Sequence, residues 1–159
     1  MPDWRPLMSR RNDGYPRIMG VLNITPDSFY ADSRLSNVEE TLKKATIMIE
    51  NGADWLDIGG ESTRPGAEII DTDEEIRRIL PIIRAVRDKF PNVGISIDTR
   101  RASVAELALD EGADMINDVS ALSDPRMLEV IKSRKCPICI MHMKGLPENM
   151  QNNPKYEMS

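Results

Sequence analysis

Short apolar runs alternate along the chain with longer segments of helical periodicity, and this alternation restricts the fold more than any other feature. Each apolar run is bounded by Gly, Pro or Asp, which is typical of strands buried on both faces of a parallel sheet. The predicted strands are Ile18–Asn23, Trp55–Ile58, Gly94–Ile97, Met115–Asn117 and Ile138–Met141. Strands that alternate with helices in this way indicate an α/β fold.

The first two segments between strands each contain a capping-box pattern, in which Ser or Thr is followed three residues later by Glu. The patterns are Ser36 with Glu39 and Thr72 with Glu75, and they predict where two helices begin. Pro81 interrupts the second segment. It is expected to bend that helix, because proline removes a backbone hydrogen bond.

The third and fourth segments predict two shorter helices. Asp124 is the expected N-cap of the fourth helix, because Pro at the next position suits the first helical turn. The residues predicted to face the core are Val104, Leu107 and Ala108 in the third helix and Leu128 and Ile131 in the fourth. Each helix therefore has an apolar face with which to cover the sheet.

The bulk composition excludes several classes of protein. The 159 residues include 21 basic and 26 acidic side chains, for a net charge of −5, and the basic residues form no block that would suit nucleic acid. No apolar run approaches the roughly 20 residues of a membrane-spanning helix. The segment Met1–Arg17 is polar and lacks the apolar centre of a signal peptide. With only two cysteines, the composition predicts a protein of the reducing cytoplasm.

The segment Asp57–Ala67 has the composition of an anion-binding loop. It runs from a buried strand into two glycines and then into Ser62, Thr63 and Arg64. Glycine lets the backbone approach a ligand closely, and hydroxyl and guanidinium groups suit a phosphate or carboxylate. Ligands of parallel α/β folds bind at the carboxyl ends of the strands, where this segment lies. A solvated turn has a similar composition and remains the alternative.

Polar residues also follow other predicted strands, namely Asn23, Asp98, Asn117 and His142. The carboxylate of Asp98 can accept two N–H bonds, and the amide of Asn117 can both donate and accept. The pair therefore suits the edge of an amino-substituted heterocycle. Asp98 and Asn117 would equally serve as caps for the following loops, and Asn23 as the start of a turn.

Two long motifs resemble the dihydropteroate synthase family. That family carries a G-x-L-N-x-T-P-D-S-F loop after its first strand, which corresponds here to residues 20–29, and a D-x-G-G-E-S-T-R-P-G loop after its second, here 57–66. The resemblance continues through Ser96–Thr99, Ile116–Ser120 and Met141–Gly145, and it covers residues 17 to 150.

The resemblance implies an eight-stranded (β/α) barrel of the TIM type, which typically needs about 250 residues. This chain would supply about five strands and four helices of it, as a partial barrel. We therefore expect residues 1–159 to form a single pterin-binding domain that is the N-terminal part of such a barrel, with the C-terminal part absent. Residues 1–16 are expected to be an extension or a short hairpin, because Asn12-Asp13-Gly14 is a hairpin-turn signal.

The implied activity is that of a transferase in folate biosynthesis. It condenses 6-hydroxymethyl-7,8-dihydropterin pyrophosphate with p-aminobenzoate to give 7,8-dihydropteroate and pyrophosphate. By resemblance, Asn23 holds a Mg²⁺ cofactor, and Thr63 and Arg64 lie near the pyrophosphate. Asp98 and Asn117 bind the pterin ring.

The resemblance and the chemistry assign weaker roles to three further residues. Asp27 and Ser28 lie on the first loop, which in the family closes over the site. The five residues from Tyr30 depart from the family's glycine-containing run, which predicts a stiffer loop here. Met141 is expected to form an apolar wall against a flat ring.

Two other functions stay open at this point. One is a pterin-binding methyltransferase-type domain, which would not need the T-P-D-S-F and E-S-T-R-P-G loops. The other is a non-catalytic fragment that binds a pterin or another subunit. The family's later motifs are missing, including a second pterin-binding carboxylate. We therefore expect the 159 residues alone to be inactive and to self-associate, as a homodimer or a larger species.

The only histidine and the two cysteines invite a metal or redox interpretation that the sequence does not favour. A structural zinc site needs four ligands, and Cys136, Cys139 and His142 supply three. We predict that both cysteines are buried core residues without zinc, and that His142 is structural rather than a general base.

Overall fold

The computed structural model of the chain describes residues 8–9, 11–24, 34–61 and 69–142. Five strands alternate with four helices in this part of the chain. In chain order they are β1 Met19–Asn23, α1 Arg34–Glu50, β2 Trp55–Gly59, α2 Thr72–Lys89, β3 Gly94–Asp98, α3 Ala102–Asp110, β4 Met115–Asp118, α4 Met127–Arg134 and β5 Ile138–Ile140.

All five strands form one parallel sheet in the order β1-β2-β3-β4-β5, so that each strand lies beside its neighbour in sequence. This is the arrangement of successive strands in a (β/α) barrel, and it confirms the predicted fold class. The predicted strand positions agree with the structure to within one residue at each end.

The helices cover one face of the sheet. Alternate residues of each strand point to that face, and those residues are apolar. Leu22, Ile58, Ile97 and Ile116 are aligned in register there, and each is at most 3% exposed. Helix α2 packs onto this layer through its buried apolar residues Ile79, Ile82, Ile83 and Val86. The residues between these positions, including Asn23, Asp98 and Asn117, therefore lie on the opposite face of the sheet.

Two predicted helix starts are wrong, and a third helix begins at Thr72 as predicted but has a different cap. Helix α1 begins two residues before Ser36, at Arg34. The N-cap of α2 is Asp71 rather than Thr72, because the Asp71 side chain accepts a bond of 2.7 Å from the backbone N–H of Glu74. Helix α4 begins only at Met127, because Asp124 accepts from the N–H of Arg126 in a preceding turn. Asp is a better N-cap than Thr, which agrees with the choice of Asp71 in α2.

Two residues predicted to face the core are exposed instead. Leu107 of α3 is 38% exposed and Leu128 of α4 is 45% exposed. Because α4 begins at Met127, its buried face consists of Met127 and Val130, and Ile131 packs beside them. The predictions for Val104, Ala108 and Ile131 are confirmed.

The predicted turn near the N-terminus is present, but the predicted hairpin lies only partly within the described residues. Gly14 has a positive φ of 81°, and its N–H donates to the carbonyl of Arg11 at 2.9 Å. Residues 11–17 contain no strand, and residues 1–7, where the other arm of a hairpin would begin, lie outside the described part. Pro81 lies within α2, which continues through it as one helix. None of the described helices is long and apolar enough to cross a membrane.

Candidate active site

The structure brings three predicted site residues into one row across the sheet. The parallel register pairs Asn23 with Gly59, Gly59 with Asp98, and Asp98 with Asn117. We call these four residues the polar row. They lie at the carboxyl ends of strands β1 to β4, on the face that the helices leave uncovered, which is where parallel α/β folds bind ligands.

Gly59 lies between the side chains of Asn23 and Asp98 and adds no side chain of its own. A Cβ atom at this position would lie 3.5 Å from Oδ2 of Asp98 and 3.7 Å from Oδ1 of Asn23. Both oxygens therefore lie close to the Gly59 backbone from the two neighbouring strands. Because glycine has no side chain, a ligand can approach the backbone between these oxygens.

A second layer of polar side chains lies below the row, toward the amino ends of the strands. Asp57 of β2 is two residues before Gly59 and is paired in register with Ser96 of β3. The Nδ2 atom of Asn117 donates to Oδ2 of Asp57 at 3.0 Å. Asp57 is 5% exposed and Ser96 is fully buried. The sequence analysis placed Asp57 at the start of the anion-binding loop without a role of its own, and its position in a strand did not indicate this contact.

The electrostatic environment of Asp98 is unusual for a carboxylate. Its pKa is raised from 3.8 to about 7, first by burial and then by the negative charges of Asp57, Glu75, Asp118 and Glu61. Asp98 is therefore only partly ionised at neutral pH. A ligand that donates N–H groups to it would favour the ionised form and lower this pKa.

A network of charged residues that the sequence analysis missed contacts the chain on either side of residues 62–68. Arg101 pairs with Glu61 of the predicted anion-binding loop at 2.5 Å, and donates to the carbonyl of Ile70, which follows that loop, at 2.6 Å. Arg101 also pairs with Glu75, whose side chain is 1% exposed. Burial raises the pKa of Glu75, and hydrogen bonds from Thr99 and Arg101 oppose that rise.

Part of this network could have been found from the sequence. Glu75 was interpreted as a capping-box residue, but the cap of α2 is Asp71, which leaves the Glu75 carboxylate free to pair with Arg101. A lone Glu among the apolar positions of an amphipathic helix indicates a buried partner of opposite charge.

The predicted residues at the end of β5 are less buried than expected. Met141 follows β5 and is half-buried, and its N–H donates to the carbonyl of Asp118 at 3.4 Å. His142 is exposed. Cys136 is half-buried against the core, where burial raises the pKa of its thiol. Cys139 is exposed, so the prediction that it is a core residue is wrong; β5 pairs with β4 alone among the described strands, which leaves its side chains less covered.

Four predicted site residues lie outside the described residues: Asp27, Ser28, Thr63 and Arg64. Their assigned roles stay predictions. The polar row, Asp57 and the network at Arg101 therefore carry the structural evidence for a site.

Comparison with known proteins agrees with the motifs. The model of the pterin binding enzyme family matches residues 19–159. Dihydropteroate synthase from Haemophilus influenzae is 45% identical over 142 residues, which are 89% of this chain and 51% of the relative. The Escherichia coli dihydropteroate synthase is 42% identical over 90% of this chain and 50% of its own length. The chain thus spans about half the length of these relatives.

Solved structures show the same relation. A Yersinia pestis dihydropteroate synthase in a sulfonamide drug complex has a TM-score of 0.80 and 42% identity over 90% of this chain and 52% of that one. A Xanthomonas albilineans dihydropteroate synthase with 4-aminobenzoic acid has a TM-score of 0.77 and 40% identity over 89% of this chain and 50% of that one. The resemblance inferred from the two loops is confirmed, and the chain belongs to the pterin binding enzyme family.

Proposed function

We propose that the protein carrying this chain is a dihydropteroate synthase. It condenses 6-hydroxymethyl-7,8-dihydropterin pyrophosphate with p-aminobenzoate and releases pyrophosphate. The observation that carries the proposal is the polar row, which sets Asn23, Asp98 and Asn117 side by side around Gly59. The relatives with this name and the structure of one of them with 4-aminobenzoic acid support the same reaction.

Asp98 and Asn117 are proposed to hold the pterin ring. A carboxylate beside an amide offers acceptors to ring N–H groups and one remaining donor to a ring acceptor. The pKa of Asp98, raised to about 7 by burial and by its acidic neighbours, belongs to a carboxylate that no cation among the described residues pairs with, so that ring N–H groups would supply favourable contacts. Met141 is proposed as an apolar wall against the flat ring.

Asn23 is proposed to hold a Mg²⁺ ion. Asn23 is exposed at the end of β1, and its amide oxygen is a hard ligand of the kind that Mg²⁺ accepts, often with only one or two protein ligands besides phosphate and water. The residues present therefore fit this ion. When bound, Mg²⁺ would neutralise negative charge on the pyrophosphate.

The reaction breaks the C–O bond between the pterin methylene and pyrophosphate and forms a C–N bond to the arylamine, which loses a proton. Thr63 and Arg64 are proposed to stabilise the charge that develops on the departing pyrophosphate. Asp27 and Ser28 belong to a loop that is proposed to exclude water, the competing nucleophile. Most of the rate enhancement would come from positioning and charge stabilisation.

Steady-state kinetics of the protein produced from its complete coding sequence test the proposal. We expect formation of 7,8-dihydropteroate, and Arg64→Ala should lower kcat/KM by about tenfold or more, because one charged hydrogen bond contributes about 1.5–3 kcal/mol. Arg84→Ala, on an exposed face of α2, is the matched control and should keep full activity. No turnover in the unaltered protein, or less than a twofold loss for Arg64→Ala, would contradict the assignment.

We further propose that the chain self-associates and acts in the cytoplasm. The face of the sheet opposite the helices exposes Val21 of β1 by 54%, and Ile140 of β5 is 53% exposed. Strands β1 and β5 each pair on one side only within the described sheet, which favours association with another chain. Both cysteines are free thiols, as is usual in a reducing compartment. Sedimentation of the 159-residue chain at micromolar concentration tests the association, and a stable monomer would contradict it.

A further inference from the structure

The bond between Asn117 and Asp57 determines which way the Asn117 carboxamide faces. A carboxylate oxygen accepts hydrogen bonds, and of the two polar atoms of the Asn117 amide only the nitrogen can donate to it. The structure has this arrangement, with Nδ2 of Asn117 donating to Oδ2 of Asp57 at 3.0 Å. The side-chain oxygen of Asn117 accepts no hydrogen bond from the described residues, and it remains available for a donor.

The bond reaches across the sheet rather than along it. Asp57 lies on β2 and Asn117 on β4, with β3 between them. Every residue of β2 is buried, so the Asp57 carboxylate has almost no contact with bulk solvent. Its position is therefore fixed by the strand, and it can act as a rigid partner for Asn117.

Asp57 is poorly compensated for a carboxylate in this position. Its second oxygen, Oδ1, is buried and has no partner among the described residues, and the same holds for Oγ of its register partner Ser96. The bond that its Oδ2 accepts comes from a neutral amide, and no basic residue pairs with Asp57 in the part of the chain that the structure describes. A buried carboxylate with an unpartnered oxygen lowers the stability of the fold. A contribution to core packing therefore does not explain why Asp57 occupies this position.

We propose that Asp57 is a positioning residue of the pterin pocket: it holds the Asn117 carboxamide with its nitrogen toward Asp57 and its oxygen available to an N–H donor of the ligand. The inference rests on the proposed function for the identity of the ligand. It deepens that function by stating that the ligand presents a donor to Asn117. Without Asp57, the amide could turn over and present its nitrogen to that donor instead.

Amide proton exchange and ligand affinity test the proposal together. NMR on the protein from its complete coding sequence should show one Asn117 Nδ2 proton protected from solvent exchange, and Asp57→Ala should remove that protection. Calorimetry with 6-hydroxymethylpterin at pH 8.5, where Asp98 is ionised in every variant, should show binding weakened about fivefold or more by Asp57→Ala. Asp57→Asn, which keeps an oxygen to face Asn117, should recover most of the affinity.

Asp54→Asn is the matched control, because it alters a carboxylate three residues earlier in the chain that does not contact Asn117. It should change neither measurement. An unprotected Asn117 amide in the unaltered protein, or an affinity within twofold of the original in Asp57→Ala, would overturn the proposal. If the unaltered protein binds no pterin, the proposed function fails, and the exchange measurement still decides whether Asp57 orients Asn117.

Discussion

Asp54 and Asp114, at the amino ends of the strands, have more hydrogen-bond and ion-pair partners than Asp57 and Asp98, which lie nearer the carboxyl ends. At the amino ends, Asp114 accepts from Arg87 at 2.6 Å and from the N–H of Ile95 at 2.9 Å. Asp54 accepts from Arg17 at 2.7 Å and from the N–H of Ile18 at 2.9 Å. Nearer the carboxyl ends, Asp57, in the middle of β2, keeps an oxygen without a described partner, and the pKa of Asp98 at the end of β3 is raised to about 7.

The changes in pKa follow from this difference. Burial alone would raise the pKa of Asp54, but its bonds from the Ile18 N–H and the Arg17 guanidinium lower it overall. No cation in the described part of the chain pairs with Asp98, and burial and its acidic neighbours raise its pKa together. Asp54 and Asp114 thus stabilise the fold, whereas Asp57 and Asp98 lower stability, and Asp98 at the end of its strand remains available to a ligand.

The largest expected effect comes from breaking an amino-end pair. Asp114→Ala leaves the guanidinium of Arg87 without its carboxylate and the buried N–H of Ile95 without an acceptor. The free energy of unfolding should fall by about 3–5 kcal/mol, as for other broken buried pairs. Denaturant unfolding measures it. If Asp114→Ala lowered the free energy of unfolding by less than Asp98→Asn does, the claim that Asp114 stabilises the fold more than Asp98 would be contradicted.

A smaller effect should appear as a dependence of stability on pH. The pKa of Asp98 is higher in the folded chain, about 7, than its ordinary value of 3.8. The contribution of Asp98 to the free energy of unfolding is therefore fully present below pH 3.8 and is lost as the pH rises through 7. A tenfold change in proton affinity corresponds to about 1.4 kcal/mol, and with solvent screening the loss is on the order of 3 kcal/mol. Asp98→Asn should remove most of this slope.

Asp54→Asn serves as the control for the pH experiment. The pKa of Asp54 is lowered, so its contribution is present above its ordinary pKa of 3.8 and is lost as the pH falls below it. The variant should leave the slope between pH 5 and pH 7 unchanged. Unfolding curves at several pH values measure the slopes, and an equal slope in the original chain and Asp98→Asn would show that Asp98 titrates normally.

The smallest expected effects come from Gly→Ala substitutions at the amino end of β3 and the carboxyl end of β2. A Cβ at Gly94, at the amino end of β3, would overlap the indole ring of Trp55, so Gly94→Ala should destabilise the chain by about 1–3 kcal/mol. A Cβ at Gly59 would meet Asp98 and Asn23 only at ordinary distances of 3.4–3.7 Å. Gly59→Ala should change stability by less than about 1 kcal/mol while weakening pterin binding. Thermal unfolding and calorimetry of both variants test this. Equal destabilisation by the two substitutions would contradict a packing role for Gly94 and a ligand-binding role for Gly59.

The sequence predicted most of the fold because strand burial and helix periodicity are local signals. The five strands, the four helices and the positions of Asn23, Asp98 and Asn117 at strand ends followed from them. Contacts that depend on register did not follow. The bond from Asn117 to Asp57 joins residues 60 positions apart, and Arg101 meets Glu75 and Glu61 only once the sheet has formed. The competition between Asp71 and Thr72 for the cap of α2 was likewise decided by side-chain geometry.

Calorimetric titration of 6-hydroxymethylpterin into the protein from its complete coding sequence tests most directly whether the polar row is a pterin site. We expect binding by the original protein, no detectable binding by Asp98→Asn, and unchanged binding by Asp54→Asn. Replacing the carboxylate with an amide puts a donor where the ring presents its own N–H groups. Equal affinities for pterin in the original protein and in folded Asp98→Asn would show that the polar row does not bind the pterin ring.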